Sequence, residues 1–572
     1  MSLFDPAEAV RHRAEGHWGD TTIHQMFAQT AARVPGRIGL IDAPNRAQLH
    51  EGEPRRMTYG QMAEAVDQFA EALRAQGLGP GSLIATQLPN IAELVLIYLA
   101  VARIGAVLSP IALAYRSSEL EASARLVDFD AYVSVGGVSG KPFYAERLDA
   151  LPPEVLRLGI GSGLPPGVVR LDDAVARTVA PAHPASADDL FAVFWTSGTE
   201  GTPKAVPKTH NNMMASSLGA WRILALPDGA NILAPFPFVN AAAVGGLMMC
   251  WMRTCGALIM HHPFSLDIFV EQLTGEDVTY TMVAPTVLTY LRERAHDEAL
   301  RPALHRLAAI GTGSAPPDPE TFVFFREVFD IEVLNFFGSN EGAQMCSSQE
   351  RVADPRQRAR FFPRDGDVNW PEGRGRLTAN GGAFKLVDPA SGEPVTAPGE
   401  IGEMMIRGPA MMPGYYSRDG FDRRKFDSEG YFATADLFEI SQCGGLIRFH
   451  ARARELIVRG GMKISPVELD NFLAALPGIR EVAVASYADE TMGERVCVFV
   501  VPQPGREIDL ASVAAFCDAR GLARFKWPER LEISQALPRT PLQKLDRKAL
   551  ERQLAEADSP AGSAPAKRAA GR

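Results

Sequence analysis

The sequence lacks the features that mark secreted, metal-binding or nucleic-acid-binding proteins. Its 572 residues include only six cysteines, which are scattered, form no Cys-x-x-Cys pair and have no histidine at metal-site spacing. This pattern favours buried free thiols in a reducing compartment. The body of the chain also has no basic block and the formal net charge is −10, so we expect no nucleic-acid partner.

No apolar run is long and uninterrupted enough to cross a membrane. The longest apolar stretch, 91–115, is broken by Glu93 and Arg103 and predicts a buried helix, a turn and a strand. Residues 1–20 lack the apolar core of a signal peptide. We therefore expect a cytoplasmic protein with no integral membrane segment.

Length and composition are those of a globular enzyme with more than one domain. Hydrophobic residues make up 46% of the chain and charged residues 22%, and 572 residues exceed what one core usually supports. Short β-branched runs alternate with helix-like stretches, which predicts α/β layers with largely parallel sheets. The expected strands include 83–86, 131–135, 257–260 and 332–335, and the expected helices include 59–76 and 268–273.

The composition changes twice along the chain. Residues 363–414 are rich in glycine and proline and predict a small β-rich subdomain. A second change near residue 451 predicts a compact α+β domain. We therefore predict a large N-terminal domain with several subdomains and layered α/β sheets over 1–451, a small mobile α+β domain over 452–557, and a disordered tail over 558–572.

The stretch 195–212 is crowded with glycine, hydroxyls and lysine. Gly198 and Gly201 let backbone amides approach oxygens without a side chain in the way, and Lys204 supplies positive charge. The hydroxyl donors are Thr196, Ser197 and Thr199. The pattern predicts a loop that binds polyphosphate.

Common nucleotide and nucleophile motifs do not account for this loop. Gly201 is followed by Thr202 and Pro203 before Lys204, so the loop is not a Walker P-loop. The glycine-rich stretch 159–163 runs into two prolines instead of opening a helix, which argues against a dinucleotide fingerprint. The Gly-x-Ser-x-Gly elbow of α/β-hydrolases is absent.

Taken in order, the motifs of the chain resemble those of the adenylate-forming superfamily: acyl- and aryl-CoA synthetases, adenylation domains of peptide synthetases and firefly-type luciferases. The resemblance covers roughly residues 58–550. Its motifs are the loop at 195–212 and the stretches 283–286, 311–315, 337–341, 402–409, 414–416, 430–437, 452–466 and 537–544. It implies a ligase that joins a carboxylate to the α-phosphate of ATP, releases pyrophosphate, and passes the acyl group to a thiol.

The resemblance implies roles for individual residues. Lys544 would be the main catalytic cation and would bridge carboxylate and phosphate oxygens. Glu341 would act in catalysis as the ligand of Mg²⁺, a cation that prefers oxygen donors. Arg454 would be the hinge about which the C-terminal domain rotates between the two half-reactions. The residues that would bind the nucleotide are Thr196, Ser197, Gly198, Thr199, Gly201, Lys204, Gly313, Ser314, Phe337, Asp436 and Arg452.

The resemblance also locates the sites for the acid and the thiol. The residues expected there are Trp195, Asn240, Ala241, Val283 and Met345, with Gly460, Gly461 and Lys463 serving the thiol step. A mostly apolar lining and three alanines at 241–243 favour a hydrophobic carboxylic acid that is aryl, alicyclic or medium-chain. Coenzyme A is the first acceptor to expect, and a stand-alone enzyme that loads a separate carrier protein is the alternative. The oligomeric state stays open, with a homodimer as one option.

Several residues depart from the usual pattern of the superfamily. They are Glu200, Asn240, Ala435 and Gln543. These departures motivate a third hypothesis, a non-catalytic relative that binds nucleotide without turnover. The presence of Lys544, Glu341 and Asp436 argues against it.

Overall fold

The computed structural model describes residues 3–172, 178–197, 203–224, 226–313, 317–364, 382–453, 455–459, 462–489, 491–540 and 544–558. The described residues divide into two compact units. The first lies within Met1–Lys385, Met405–Ala433 and Gly445–Ile447, and the second within Leu386–Met404, Thr434–Gly444 and Arg448–Arg572. The second unit thus takes in two stretches that precede residue 451, and the domain boundary between 451 and 452 stays a prediction from the sequence.

One large sheet of the first unit is mainly parallel. In the described ranges its strands are β1 (Ile38–Ile41), β2 (Arg56–Thr58), β12 (Asn231–Ala234), β13 (Leu258–Met260), β14 (Val278–Val283), β15 (Ala309–Gly313), β16 (Glu332–Gly338) and β17 (Gln344–Ser347). They follow the order β17-β16-β15-β14-β12-β13-β1-β2, with β17 and β2 as antiparallel edge strands. Apolar residues on one face of the sheet pack against helices in a core that contains Ile310, Phe322 and Val333.

A second large sheet of the first unit joins a parallel half to an antiparallel half. Its strands among the described residues are β3 (Leu83–Gln87), β4 (Val107–Pro110), β5 (Ala131–Val135), β8 (Leu156–Ile160), β9 (Val169–Arg170), β10 (Leu190–Ser197), β11 (Pro203–Thr209), β21 (Tyr415–Ser417) and β22 (Gly420–Asp422). Their order is β22-β21-β11-β10-β4-β3-β5-β8-β9. A short hairpin of β6 (Gly137–Val138) and β7 (Lys141–Pro142) follows β5.

Helices cover these sheets, as the alternating sequence pattern requires. Those of the first unit are α1 (Pro6–Ala14), α2 (Ile23–Arg33), α3 (Arg46–Leu49), α4 (Tyr59–Ala75), α5 (Ala92–Arg103), α6 (Ser117–Leu126), α7 (His210–Leu224), α8 (Ala241–Ala243), α9 (Met249–Thr254), α10 (Leu266–Gly275), α11 (Pro285–Glu293), α12 (Leu300–Arg306), α13 (Pro319–Phe329) and α14 (Pro355–Arg358). A π-helical turn, Val244–Met248, continues α8 into α9, and a 3₁₀ turn spans Ala145–Ala150.

A smaller sheet has five strands among the described residues. Its described strands are β18 (Phe362–Pro363), β19 (Ala383–Val387), β20 (Ile401–Arg407), β23 (Phe432–Ile440) and β24 (Leu446–Arg452), in the order β18-β24-β23-β20-β19. The glycine- and proline-rich stretch 363–414 therefore contains strands, as its composition predicts. Residues 365–381 of that stretch lie outside the described ranges.

The second unit also has a sheet of its own, covered by helices. The strands are β25 (Ile457–Arg459), β26 (Met462–Ile464), β27 (Ile479–Asp489), β28 (Gly493–Pro502) and β29 (Arg530–Ile533), and the helices are α15 (Pro466–Leu473), α16 (Leu510–Ala519) and α17 (Arg547–Asp558), with a 3₁₀ turn at Arg524–Lys526. Strands β27 and β28 form a long antiparallel pair, and β29 pairs with β28 in parallel. Apolar residues of both sheet faces are buried against the helices, for example Val484 on one face and Ala483 on the other.

The structure confirms the mixed α/β class and the secondary structure expected from periodicity. The strands expected at 83–86, 131–135 and 332–335 correspond to β3, β5 and β16, and the helix expected at 59–76 corresponds to α4. The apolar stretch 91–115 forms α5, a turn and β4, and most of their residues are buried. None of the helices in the described ranges combines the length and the apolarity that crossing a bilayer requires.

Candidate active site

Four of the residues expected at the site lie at one edge of the mainly parallel sheet, where β14, β15 and β16 end. The register pairs Val283 with Thr312 and Gly313 with Phe336, and the antiparallel β17 places Met345 opposite Phe337. Ligands of open α/β sheets bind at the carboxyl ends of the parallel strands. The fold therefore brings Val283, Gly313, Phe337 and Met345 to the edge where a ligand is expected.

Gly313 is required at this edge for a steric reason. A Cβ atom on it would lie 2.5 Å from the backbone oxygen of Phe336 on the neighbouring strand. Such a contact is too short for any side chain, so the close approach of β15 and β16 demands glycine. The adjacent ring of Phe337 is half-buried and meets Phe362 edge-on, with 6.4 Å between ring centroids.

The predicted phosphate loop is the end of a β-hairpin. Strands β10 and β11 pair in antiparallel fashion, which places Thr196 opposite Lys204. The Nζ atom of Lys204 lies 4.9 Å from the ring centroid of Tyr415, within the range of a cation–π contact. The hairpin thus presents a cation and a hydroxyl side by side, as a polyphosphate site needs.

The carboxylate of Glu341 is held in a defined position. The Tyr415 hydroxyl donates a 2.8 Å hydrogen bond to its Oε1. Burial and the neighbouring carboxylate raise the pKa of Tyr415 well above its usual range, so the phenol keeps its proton and can donate. Among the described residues no hydrogen bond reaches the second carboxylate oxygen, Oε2. Glu341 therefore combines a fixed carboxylate with one oxygen that is available to a cation.

Lys208, which the sequence reasoning did not single out, holds the backbone around Glu341. Its side chain is fully buried, and its Nζ donates to the backbone oxygens of Glu341 (2.9 Å) and Ala410 (2.6 Å). The amide of Met412 donates to the same oxygen of Glu341 at 2.8 Å. Burial lowers the pKa of Lys208 to about 7. In the sequence, Lys208 is marked only as a charged residue within the stretch that forms β11, at a position for which the motif implies no role.

Gly342 makes this close packing feasible. Its φ is +114°, and a Cβ atom would lie 2.1 Å from the oxygen of Ala410 and 2.7 Å from Nζ of Lys208. No other residue fits both the backbone angle and the space. The loop after β16 can therefore approach the lysine only because residue 342 is glycine.

Asn340 is a second residue that the sequence reasoning gave no role of its own. Its Nδ2 donates to the backbone oxygen of Trp195 at 3.1 Å, and its Oδ1 accepts from the amide of Ala241 at 2.9 Å. One side chain thus joins the end of β10, the start of α8 and the loop after β16. These are three of the segments in which the sequence predicted site residues.

Three residues expected in the acid pocket have side chains that contact other parts of the protein. The indole of Trp195 is buried in the core of the second sheet, where its Nε1 donates to Ser109 Oγ at 2.9 Å. Val283 packs in the helix-covered core of the first sheet. The Asn240 side chain caps α8 by accepting from the amide of Ala243 at 2.9 Å.

In the second unit, the predicted ribose-binding residues form a pair. Nε of Arg452 lies 3.3 Å from Oδ1 of Asp436, whose carboxyl is largely buried, while the arginine side chain is about half exposed. Ala435, directly before the aspartate, has a φ of +62°, a conformation that costs a residue with a Cβ atom. Its amide donates to Glu403 Oε1 at 2.9 Å, and this contact holds the turn.

Lys544, also in the second unit, exchanges two hydrogen bonds with Thr540. Thr540 N donates to the oxygen of Lys544 at 2.7 Å, and Lys544 N donates back to Thr540 Oγ1 at 3.2 Å. The two bonds fix the backbone at the lysine and leave its side chain exposed. An exposed lysine on an anchored backbone suits a group that acts on a bound ligand.

Several predicted residues lie outside the described part of the chain. They are Gly198, Thr199, Gly201, Ser314, Arg454, Gly460 and Gly461, together with the unusual residues Glu200 and Gln543. For Ser197 and Lys463 the structure describes the backbone only. Their roles stay predictions from the sequence.

The first unit therefore offers the groups that a metal-bound polyphosphate requires. Lys204 supplies a positive charge, Thr196 a hydroxyl, and Glu341 a carboxylate oxygen. Mg²⁺ prefers carboxylate, phosphate and water oxygens, and it is usually held by one or two carboxylates together with the phosphates themselves. The donor set at Glu341 fits that preference.

Two family models match the chain. The model described as AMP-binding enzyme matches residues 27–416, more than half of the sequence, and the model described as AMP-binding enzyme C-terminal domain matches residues 468–544. The two matched segments cover the residues around both Glu341 and Lys544.

Relatives of similar length include enzymes with different thiol acceptors. A salicyl-AMP ligase/salicyl-S-ArCP synthetase of Mycobacterium tuberculosis is 28% identical over 569 residues, covering 97% of this chain and 95% of the relative. A medium-chain fatty-acid–CoA ligase of Escherichia coli is 29% identical over 571 residues, covering 96% and 94%. The crystal structure of ATP-bound MatB from Rhodopseudomonas palustris shares the fold, with a TM-score of 0.75 at 23% identity, covering 93% of this chain and 98% of that one.

Proposed function

The chain belongs to the family of AMP-binding enzymes, and we propose that it is an AMP-forming acid–thiol ligase. In the first half-reaction a carboxylate oxygen attacks the α-phosphorus of ATP, the bond to the β-phosphate breaks, and pyrophosphate leaves. In the second, a thiol attacks the acyl carbon, AMP leaves, and the thiol proton passes to solvent. The observation that carries the proposal is the cluster of Lys204, Tyr415 and Glu341 at the base of the phosphate hairpin.

Charge repulsion is the main obstacle to the first half-reaction. A carboxylate and a triphosphate are both anions, so positive groups and oriented donors must neutralise the charge that develops at phosphorus. We assign this work to Lys204 on the hairpin and to Lys544, whose backbone is anchored to Thr540. Asp436, paired with Arg452, would accept hydrogen bonds from the ribose hydroxyls.

Mg²⁺ would be held by Glu341 together with the phosphates of ATP. The cation would supply positive charge to the pyrophosphate that leaves. The protein's own part is to fix the carboxylate, through the Tyr415 hydroxyl on one side and the Lys208 contact to the backbone on the other. A carboxylate fixed beforehand costs less entropy when the nucleotide binds.

The acid is proposed to be hydrophobic: aryl, alicyclic or medium-chain. Met345 and Ala241 lie at the sheet edge and at the start of α8, and both are apolar. The three alanines at 241–243 are small, and this sequence feature is what favours a ring or a branched chain over a shorter acid.

Coenzyme A is the proposed acceptor, and a carrier protein is the alternative. Relatives with similar identity carry names of both kinds, a fatty-acid–CoA ligase and a salicyl-S-ArCP synthetase. The thioester step would use residues 460–463, including Lys463. Coenzyme A is preferred because it needs no partner protein.

Exchange of labelled pyrophosphate into ATP, measured over a panel of aryl, alicyclic and straight-chain acids, tests the first half-reaction. We expect exchange with at least one hydrophobic acid and AMP as the only nucleotide product. Glu341→Gln should reduce exchange by about 100-fold, whereas Glu350→Gln, at an exposed residue, should not. Formation of ADP, or silence with every acid, would refute the proposal and favour a non-catalytic nucleotide-binding protein.

The acceptor is decided by a second assay with the best acid from that panel. Mass spectrometry should detect the acyl–coenzyme A thioester when the protein, ATP and coenzyme A are mixed. Adenylate that accumulates without a thioester would instead favour the carrier protein. Either result leaves the adenylation proposal intact, so the two claims are tested separately.

A further inference from the structure

Among the described residues, three side chains that can ligate a metal lie together at the C-terminal end of α1: His12, Glu15 and His17. None of them belongs to a motif of the adenylate-forming superfamily quoted above, and none has a role in the proposed reaction. Their grouping follows from the way in which the helix ends.

Helix α1 ends in a Schellman motif. The amide of Gly16 donates to the oxygen of Arg13 at 3.0 Å, and the amide of His17 donates to the oxygen of His12 at 2.9 Å. Gly16 has a φ of +70°, the left-handed conformation that this motif requires. The motif brings residues 12 and 17 side by side, where two apolar residues usually touch. In this chain both positions are histidine.

The distances suit a metal site that is nearly closed. Oε2 of Glu15 lies 3.8 Å from Nδ1 of His12 and 3.3 Å from Nδ1 of His17. All three ligand atoms lie within 4.8 Å of one another. Four ligand atoms around zinc at its usual bond lengths are separated from one another by about 3.4 Å. Side-chain displacements of roughly 1 Å or a little more would therefore bring the three ligand atoms to that spacing.

Burial separates the two imidazoles from solvent. The His12 and His17 rings are almost fully buried, and the Glu15 side chain is 31% exposed. Among the described residues Nδ1 of His12 has no hydrogen-bond partner. Buried polar atoms normally have one.

We propose that His12, Glu15 and His17 bind one Zn²⁺ ion, with water as the fourth ligand. Two imidazoles and one carboxylate are a donor set that zinc favours. The ion would be structural. Trp18 Nε1 donates to the oxygen of Pro409 at 2.9 Å, as does Asn212 Nδ2 at 2.8 Å, so the site anchors the N-terminal segment to the loop that precedes Ala410. The proposal is independent of the proposed function.

The test uses the full chain, purified without a polyhistidine tag. We expect one zinc per chain after equilibration and desalting, and a Co²⁺-loaded protein with the intense visible absorption of tetrahedral cobalt. The midpoint temperature of thermal unfolding should rise when Zn²⁺ is added and fall back when a chelator removes it. Glu15→Gln and His17→Gln should each weaken Zn²⁺ binding by roughly tenfold or more.

His296→Gln is the matched control, because that side chain is 82% exposed and distant in sequence, and it should bind zinc as the unaltered protein does. Glu15→Gln changes a partly exposed group at constant size, so its circular dichroism should match the parent even if His17→Gln fails to fold. Absence of stoichiometric zinc, or equal affinity in the parent and Glu15→Gln, would overturn the site.

Discussion

The hydroxyl of Tyr415 donates a 2.8 Å hydrogen bond to Oε1 of Glu341, which lies 74 residues earlier in the chain. Glu341 follows β16 of the mainly parallel sheet, and Tyr415 begins β21 of the second sheet. The bond therefore joins the two sheets of the first unit at the carboxylate that is proposed to hold Mg²⁺. The Tyr415 ring also faces Lys204. One side chain therefore contacts both the carboxylate of Glu341 and the ammonium group of Lys204.

Replacement of Tyr415 by phenylalanine should raise the KM for MgATP about fivefold to tenfold, because a hydrogen bond to a charged group contributes roughly 1.5–3 kcal/mol and part of that orients Glu341. The KM for the acid should change less. Steady-state kinetics with each substrate varied in turn checks this. Tyr416→Phe, whose ring packs on Phe421, is the control, and an equal effect there would contradict a specific role for Tyr415.

Replacement of Lys208 by methionine should change how stability depends on pH. The pKa of Lys208 is about 7 in the folded protein, against its usual 10.5. Between these values the unfolded chain holds more protons, so the free energy of unfolding rises with pH, by up to about 1.3 kcal/mol per pH unit. Below pH 7 this group adds no slope.

Lys208→Met should lack this rise, because methionine does not titrate. Denaturant unfolding of both proteins from pH 6 to 9 checks the difference in slope. Lys141→Met removes an exposed lysine and should keep the parent profile. Parallel pH profiles of the parent and Lys208→Met would show that burial does not lower the pKa of Lys208.

Lys544→Ala should cripple adenylation and leave thioester formation from supplied acyl-adenylate largely intact. Loss of one stabilising charge in a transition state typically costs 10²- to 10³-fold in rate, and we expect a loss of about that size in pyrophosphate exchange. Measurement of the two half-reactions separately checks this. Equal loss in both would mean that Lys544 does not act in one step alone.

Ala435→Gly should stabilise the second unit. The left-handed φ of +62° costs an alanine about 1–2 kcal/mol, of which glycine recovers the larger part after its own entropy cost. We expect a gain of about 1 kcal/mol in the free energy of unfolding. Ala488→Gly, at an exposed position of β27, should lose about 0.5–1 kcal/mol instead. A loss at both positions would show that Ala435 is not strained.

Patterns within a short window predicted much of the fold. The short run of strand-favouring residues at 131–135 and the helical period of 59–76 are local patterns, and both elements form where expected. Trp195 shows the limit of such reasoning. Its place in a phosphate motif predicted a role beside the acid, but the direction of its side chain depends on the alternation of β10, and the indole faces Ser109. Motif membership does not determine which face of a strand a residue occupies.

The sequence by itself determined the class of the protein, because the ordered motifs, the hydrophobic periodicity and the special glycines are properties of neighbouring residues. Only the tertiary structure decided which groups meet. The contacts of Glu341 with Tyr415 and Lys208 join residues 74 and 133 positions apart, and the spacing of residues along a chain carries no direct record of such distances. The physical reason is that those contacts arise from the packing of two sheets, and packing depends on every side chain between them at once.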